Sequence, residues 1–280
     1  MQDRRLEYSI NTTIEHEYAE DVTDLSARFY DSASAFSGAD VVFPKGYSQI
    51  PRVLARGLDI RLATIVSSVE YNTSSVKVST NAGIFEATDA IITVPLGVLK
   101  RGVIRFNPAL PITKTRAITS IGFGVLDKAI LRFPRNFWHE TQAEVLGFIG
   151  ENRGQWAESF DLSKITGEAV LVMFNAGSSA QNFATQTESA VIASAAKTLR
   201  QMFGNGIPDP SGAILTRWGN DPFAFGSYSS LRQGSSPTDI AALAAPVGRL
   251  HFAGEATSAE HTATVHGALI SGQRAADEIR

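Results

Sequence analysis

The chain has 280 residues, 44% hydrophobic and 19% charged, with 25 Lys plus Arg against 28 Asp plus Glu and a formal net charge of −3. That length supports a sizeable core in one or two domains, and 16 Phe and 3 Trp among well-spaced apolar segments exclude intrinsic disorder. The near-balance of charge offers no footprint for nucleic acid, and no apolar run approaches the ~20 residues of a membrane span or reads as a signal peptide.

Cysteine is absent, which excludes disulfides, thiolate metal sites, thiol nucleophiles and sulfur-linked cofactors. The 5 histidines include no pair at helical i, i+4 spacing, so no metal centre is expected. The compartment is not fixed by these features; the cytoplasm is the working expectation.

In chain order, residues 1–40 read as a helix followed by irregular chain. Leu6, Ile10, Ile14 and Tyr18 recur every four residues as one stripe, and the serines around Ser32–Gly38 break the pattern. Val41-Val42-Phe43 reads as a short strand and Pro44-Lys45-Gly46 as a turn. Ile50, Val53 and Leu54 suggest a helix stopped by Gly57. Ile60–Val66, Val69–Tyr71, Val76–Ser79 and Ile84–Ala87 alternate like antiparallel strands, with turns at Asn72–Ser75 and Asn81–Gly83. Ala90–Val94 is a continuous apolar run ended by Pro95, the pattern of a fully buried strand.

From Lys114 to about Leu215 the texture is α+β, with strands at Lys128–Phe133, Val145–Ile149 and Ala169–Phe174. Thr185 and Glu188 read as a capping box opening a helix with Val191, Ile192, Ala195, Leu199 and Phe203 on one face, and Gly204, Gly206 and Pro208 end it. A strand at Arg249–Ala253 and a helix from about Thr264 to Ile279 follow. In that helix Gly267, Ser271 and Ala275, and likewise Ala268, Gly272 and Ala276, are spaced by four. A stripe so free of bulk suits tight packing on a sheet. It equally suits a flat ligand at the helix start, where unpaired N–H groups and the dipole favour anionic oxygen.

Phe252-Ala253-Gly254-Glu255-Ala256-Thr257-Ser258, followed by Thr264-Val265-His266-Gly267-Ala268 and Ser271-Gly272, resembles the C-terminal flavin-binding signature of flavin-dependent amine oxidases. The polyamine oxidase and lysine-specific histone demethylase branch is the most similar. Upstream blocks continue the resemblance in the family's order. They are Val41-Val42-Phe43-Pro44 with Gly46-Tyr47, Thr93–Lys100, Phe106–Pro111, Gly122–Lys128 with Phe137-Trp138, and Trp218-Gly219 with Gly226–Ser229.

The resemblance implies an α/β fold combined with α+β. An incomplete FAD-binding domain of the glutathione-reductase type would take residues 41–110 and 214–280. A substrate domain, built on a mixed sheet with flanking helices, would take 1–40 and 111–213. The implied reaction is oxidation of a polyamine-like amine: hydride passes from its α-carbon to the flavin, the imine is hydrolysed, and oxygen is reduced to hydrogen peroxide. Lys128 would hold a water at the reacting edge of the flavin. Tyr228 would wall the substrate pocket, and Thr264, where some relatives place a second aromatic, would leave it open.

Ser227 stands where monoamine oxidases carry their flavin-linking cysteine, so the FAD would be non-covalent or at least not cysteine-linked. Gly254, Glu255 and Ala268 are implied cofactor contacts, Glu255 near the ribityl–pyrophosphate stretch. Val265 and His266 would offer backbone N–H groups to the flavin pyrimidine oxygen, and Trp218 would pack by the isoalloxazine. Val66 would meet the adenine end with Pro95 close by. One departure is large: the family's early Gly-x-Gly-x-x-Gly loop is missing. Gly122-Phe-Gly124 and Gly204-Asn-Gly206 do not lie between a strand and a helix. A second chain or a missing N-terminal segment is therefore expected to supply the loop. The alternatives are a non-catalytic or degenerate partner subunit of a flavoenzyme, and an amino-acid oxidase, for which no carboxylate-binding arginine can be assigned.

Overall fold

A computed structural model describes residues 3–38 and 41–280. Residues 1, 2, 39 and 40, part of the stretch assigned to the substrate domain, lie outside it. The first helix, Arg4–Ile10, starts where the Asp3 carboxylate accepts the Arg5 N–H at 3.0 Å. It runs into a π-helical turn, Asn11–Glu15, then a last turn, His16–Tyr18, ended by Ala19 in the left-handed region at φ 55°. The apolar stripe expected here is not the buried face. Leu6 is 59% exposed, whereas Asn11, Glu15, His16 and Ala19 are buried. The wide π turn breaks the 3.6-residue phase, so polar side chains rotate inward, where Asn11 Nδ2 donates to Glu15 (2.9 Å) and His16 Nδ1 meets Glu158 (3.1 Å).

Val41–Phe43 is unpaired chain rather than a strand, because among the described residues no strand pairs with it to complete a ladder. The turn and the helix Gln49–Leu54 form as expected, with Gly57 at φ 77° beyond it. Residues 60–65 are likewise not a strand: the Asn81 side chain receives the Ile65 N–H (2.7 Å) and donates to the Ala63 carbonyl (3.1 Å) where a ladder would have run. Pairing starts at β1 (Val66–Tyr71), followed by β2 (Val76–Thr80) and β3 (Gly83–Ala87). With β5 (Arg105–Asn107) they make a mixed sheet of order β3-β2-β1-β5, in which only β1 and β5 are parallel.

Strand β4 (Ala90–Ile92) pairs in parallel with β13 (Leu250–Phe252) alone. The full burial expected of β4 is not found. Ile91 is 36% exposed, since a two-stranded pair covered on one side cannot bury both faces. Val69, Val76, Leu250 and Phe252 form the core beneath.

The second large sheet runs β11-β7-β10-β9-β8, formed by β7 (Leu126–Arg132), β8 (Val145–Gly147), β9 (Glu158–Asp161), β10 (Val170–Ala176) and β11 (Gly212–Leu215). It is antiparallel throughout, which corrects the expectation of a mixed sheet in this region. Its last strand also spans the division drawn at residue 213. The helix behind it, Glu188–Phe203, is capped by Thr187, whose side chain accepts the Ala190 N–H, and not by Thr185, which ends the preceding helix Gly177–Ala184. The two faces of β7 and β10 differ, as alternation along a strand requires. Ala129, Leu131, Leu171 and Met173 face the helix with Trp138, Trp156, Val191 and Leu199. Leu126, Phe174 and Ala176 face the other way, onto Ala19 and Tyr228. A two-residue ladder of β6 (Gly122–Phe123) with β12 (Ser229–Ser230) brings the Tyr228 loop to the start of β7.

Candidate active site

Lys128 follows Leu126 by two residues and shares its face, away from the helical core. Its Nζ lies 6.0 Å from the centroid of the Phe174 ring. Burial among these groups pulls its pKa below the usual lysine range, partly offset by the neighbouring Asp127 carboxylate.

Asp127, pointing the opposite way, is a buried clamp. One carboxylate oxygen accepts the Thr216 hydroxyl and the Trp218 N–H, each at 2.9 Å, while Thr216 Oγ1 accepts the Lys128 N–H at 2.8 Å. The other oxygen has no partner among the described residues, and desolvation raises the carboxyl pKa. The strand and the Trp218 loop are thus held together through one side chain. Asp127→Ala is expected to lose about 1–3 kcal/mol in urea denaturation, the cost of orphaned buried donors, whereas Asp127→Asn, which keeps an acceptor, stays within about 1 kcal/mol of the parent.

Tyr228 sits in the same apolar cluster, and its hydroxyl donates to the His16 carbonyl at 2.5 Å. Its pKa is pushed far up by burial, with Glu17 adding to the effect, so the phenol stays neutral. Tyr228 and Thr264 line one cavity of about 560 Å³, together with His16, Tyr18, Tyr30 and Asp31. Thr264 has a second duty as helix cap: its hydroxyl donates to the His261 carbonyl (2.7 Å) and accepts the Gly267 N–H (3.0 Å).

A second cavity of about 230 Å³ is lined by Pro95, Gly254, Glu255 and Ala268, with Phe123 and Ser227. Glu255 links the two. Its carboxylate accepts the Ser229 hydroxyl at 2.5 Å and the Ala263 N–H at 2.9 Å, and both of those residues line the larger cavity. Burial raises the Glu255 pKa, opposed by these bonds. Ser227 bridges the Leu126 backbone, accepting its N–H (2.8 Å) and donating to its carbonyl (3.1 Å).

The helix Val265–Asp277 begins between the cavities. Its Val265 and His266 N–H groups precede any intrahelical acceptor. The His266 ring itself packs edge-on against Phe36 at the surface. Val265 is 50% and Trp218 41% exposed. Val66 does not reach either cavity and packs against the core of β1 and β13 instead. Phe174, His16 and Asp31 were not singled out in the sequence, since a lone residue on a strand or an irregular loop has no spacing to betray it.

These residues fit one side of a flavin. Gly254 adopts φ 130° and a Cβ there would meet open space, so the backbone is bare toward the groove. Small side chains at Ala256 and Ala268 line it, and a helix start supplies oriented N–H groups.

The family model "Flavin containing amine oxidoreductase" matches residues 15–280. The chain is 38% identical over 275 residues to lysine-specific histone demethylase 1 homolog 2 of Arabidopsis thaliana, covering 95% of this chain and 37% of that protein. It is 39% identical over 265 residues to polyamine oxidase 4 of Oryza sativa subsp. japonica, covering 94% and 54%. A putrescine oxidase structure superposes with a TM-score of 0.73 at 25% identity, over 84% of this chain and 53% of the other. Cyclohexylamine oxidase from Brevibacterium oxydans IH-35A shares the fold, with a TM-score of 0.79 at 23% identity, over all of this chain and 65% of the other. The chain thus spans about a third of the first of these curated relatives and about half of the second. It belongs to the flavin containing amine oxidoreductase family.

Proposed function

We propose that this chain forms the substrate-side and flavin-side walls of an FAD-dependent amine oxidase acting on a polyamine-like amine, with hydrogen peroxide as the second product. The observation that supports it most is Tyr228, which lines the larger cavity and shares an apolar cluster with Phe174, whose ring centroid lies 6.0 Å from Lys128 Nζ, while Glu255 of the second cavity hydrogen-bonds residues of the first. Bound FAD supplies a two-electron acceptor.

The chain's own residues do the rest. Tyr18, Tyr30 and Tyr228 give aromatic surface to an incoming ammonium, and Asp31 and Glu17 add negative charge along the same cavity. Lys128 orients a water and passes a proton through its Nζ. Pro95, Gly254, Glu255 and Ala268 receive the cofactor along the groove, Val265 and His266 through backbone N–H groups. Trp218 would flank the ring, and Val66 would lie toward the adenine end. With no cysteine in the chain, a flavin is not cysteine-linked.

In this reading residues 1–40 with 111–213 serve the substrate and 41–110 with 214–280 serve the cofactor. A further polypeptide segment, from a second chain or from the same one, provides the dinucleotide loop. The apolar residues left open at Val41, Leu58, Leu62, Ile91 and Leu269 support that part of the reading. Purification with any co-purifying partner, followed by visible absorption before and after anaerobic addition of spermine, tests it. A yellow protein bleached by the amine is expected. A stable, colourless protein unchanged by added FAD would overturn the reading in favour of a degenerate relative.

A further inference from the structure

We propose that His16, held by Glu158, is the proton acceptor that converts an entering ammonium substrate to its free amine; this rests on the amine oxidase reading of the cavity. His16 lines the larger cavity beside Tyr228 and Thr264. Its side chain is 8% exposed, its Nδ1 lies 3.1 Å from Glu158 Oε2, and its Nε2 is buried with no partner among the described residues. A carboxylate oxygen can only accept, so the ring proton facing Glu158 is on Nδ1, and Nε2 is the nitrogen through which a neutral ring would take a second proton. The backbone fixes this ring from three sides. A π-helical turn precedes it, Ala19 at φ 55° follows it, and the Tyr228 phenol is bonded to its own carbonyl. Unusual backbone of this kind is maintained where a side chain must be aimed. The ring also packs at 6.0 Å from Phe174, the same ring that lies beside Lys128 Nζ.

An N–H bond of the ammonium breaks with its electron pair left on the substrate nitrogen, an N–H bond forms at Nε2, and the imidazolium is stabilised by Glu158. The lone pair so released is what oxidation at the adjacent carbon requires. The charged or titratable groups around the ring are Glu158 with Tyr8 beyond it, Glu15 paired with Arg153, Glu17 and Asp31 on the cavity wall, Tyr228, and Lys128 across Phe174.

The test compares the FAD-loaded protein with its His16→Gln and Glu158→Gln variants in anaerobic bleaching by putrescine across pH 6–10.5. Near neutral pH the variants are expected to be slower by about tenfold or more, and the gap closes toward pH 10, where the amine is already neutral. Equal slowing at every pH, or no slowing, overturns the proposal. A second readout needs no turnover. In the flavin-free chain labelled at histidine nitrogen, the signal absent from His16→Gln shifts to its protonated position when putrescine is added; an unmoved signal at saturation overturns the proposal. If the parent enzyme is not bleached at any pH, the oxidase reading fails, while the nitrogen shift still judges His16.

Discussion

Lys128→Met slows either amine-driven flavin reduction or oxygen-driven reoxidation by about a hundredfold, the scale of removing one positioned proton-transfer group. The side chain lies on the face of β7 that packs beside Phe174, away from the helical core. Burial already disfavours its charged form, so an apolar side chain of similar length costs no stability there. The variant therefore melts at or above the parent temperature while losing rate. Lys128→Arg keeps a cation but not one that can release a proton, and does not restore the rate. Stopped-flow traces of both half-reactions check this, and unchanged rates in Lys128→Met would remove the residue from the mechanism.

Gly124→Ala destabilises the chain by about 3 kcal/mol or more, the upper range for forcing atoms into a packed interior. A Cβ at Gly124 would overlap the Ala19 carbonyl, a backbone group with no freedom to move. Three segments meet at this glycine. Its N–H donates to the Tyr228 carbonyl (3.0 Å), its own carbonyl accepts the Ser227 N–H (2.7 Å), and the adjacent Val125 N–H donates to Ala19 (2.9 Å). The substitution separates the His16 segment, the Tyr228 loop and β7, so cavity and stability are lost together. Gly206→Ala, with nothing within 4 Å of the new methyl, is the control and leaves the urea midpoint within error.

The parts of the site legible from the chain were those carried by contiguous blocks. Phe252–Ser258 and Thr264–Ala268 place Gly254, Glu255 and Ala268 on one groove because a strand end, a short turn and a helix start follow one another within a few residues. Tyr228 and Lys128 were legible through their blocks; 100 residues apart, they are linked by Phe174, which packs in the Tyr228 cluster and lies 6.0 Å from Lys128 Nζ. His16, Phe174 and Asp127 were not legible. The role of His16 comes from a π turn that shifts the buried face, and that of Asp127 from contacts to Thr216 and Trp218, about ninety residues away.

Secondary structure failed where a partner was needed. Val41–Phe43 and residues 60–65 read as strands in the sequence, but a ladder requires a second strand and none pairs with them among the described residues. The cap at Thr187 instead of Thr185 reflects competition between two threonines that local sequence ranks almost equally.

By itself the sequence determined the element types with strong periodicity, the absence of thiol chemistry and the blocks that mark the flavin family, because each depends on neighbours within one turn or one strand. The tertiary structure decided which polar side chains turn inward, how Glu255 links two cavities, and which nitrogen of the His16 ring is left without a partner among the described residues. Those outcomes depend on burial and on hydrogen-bond partners distant in the chain, which no local spacing encodes.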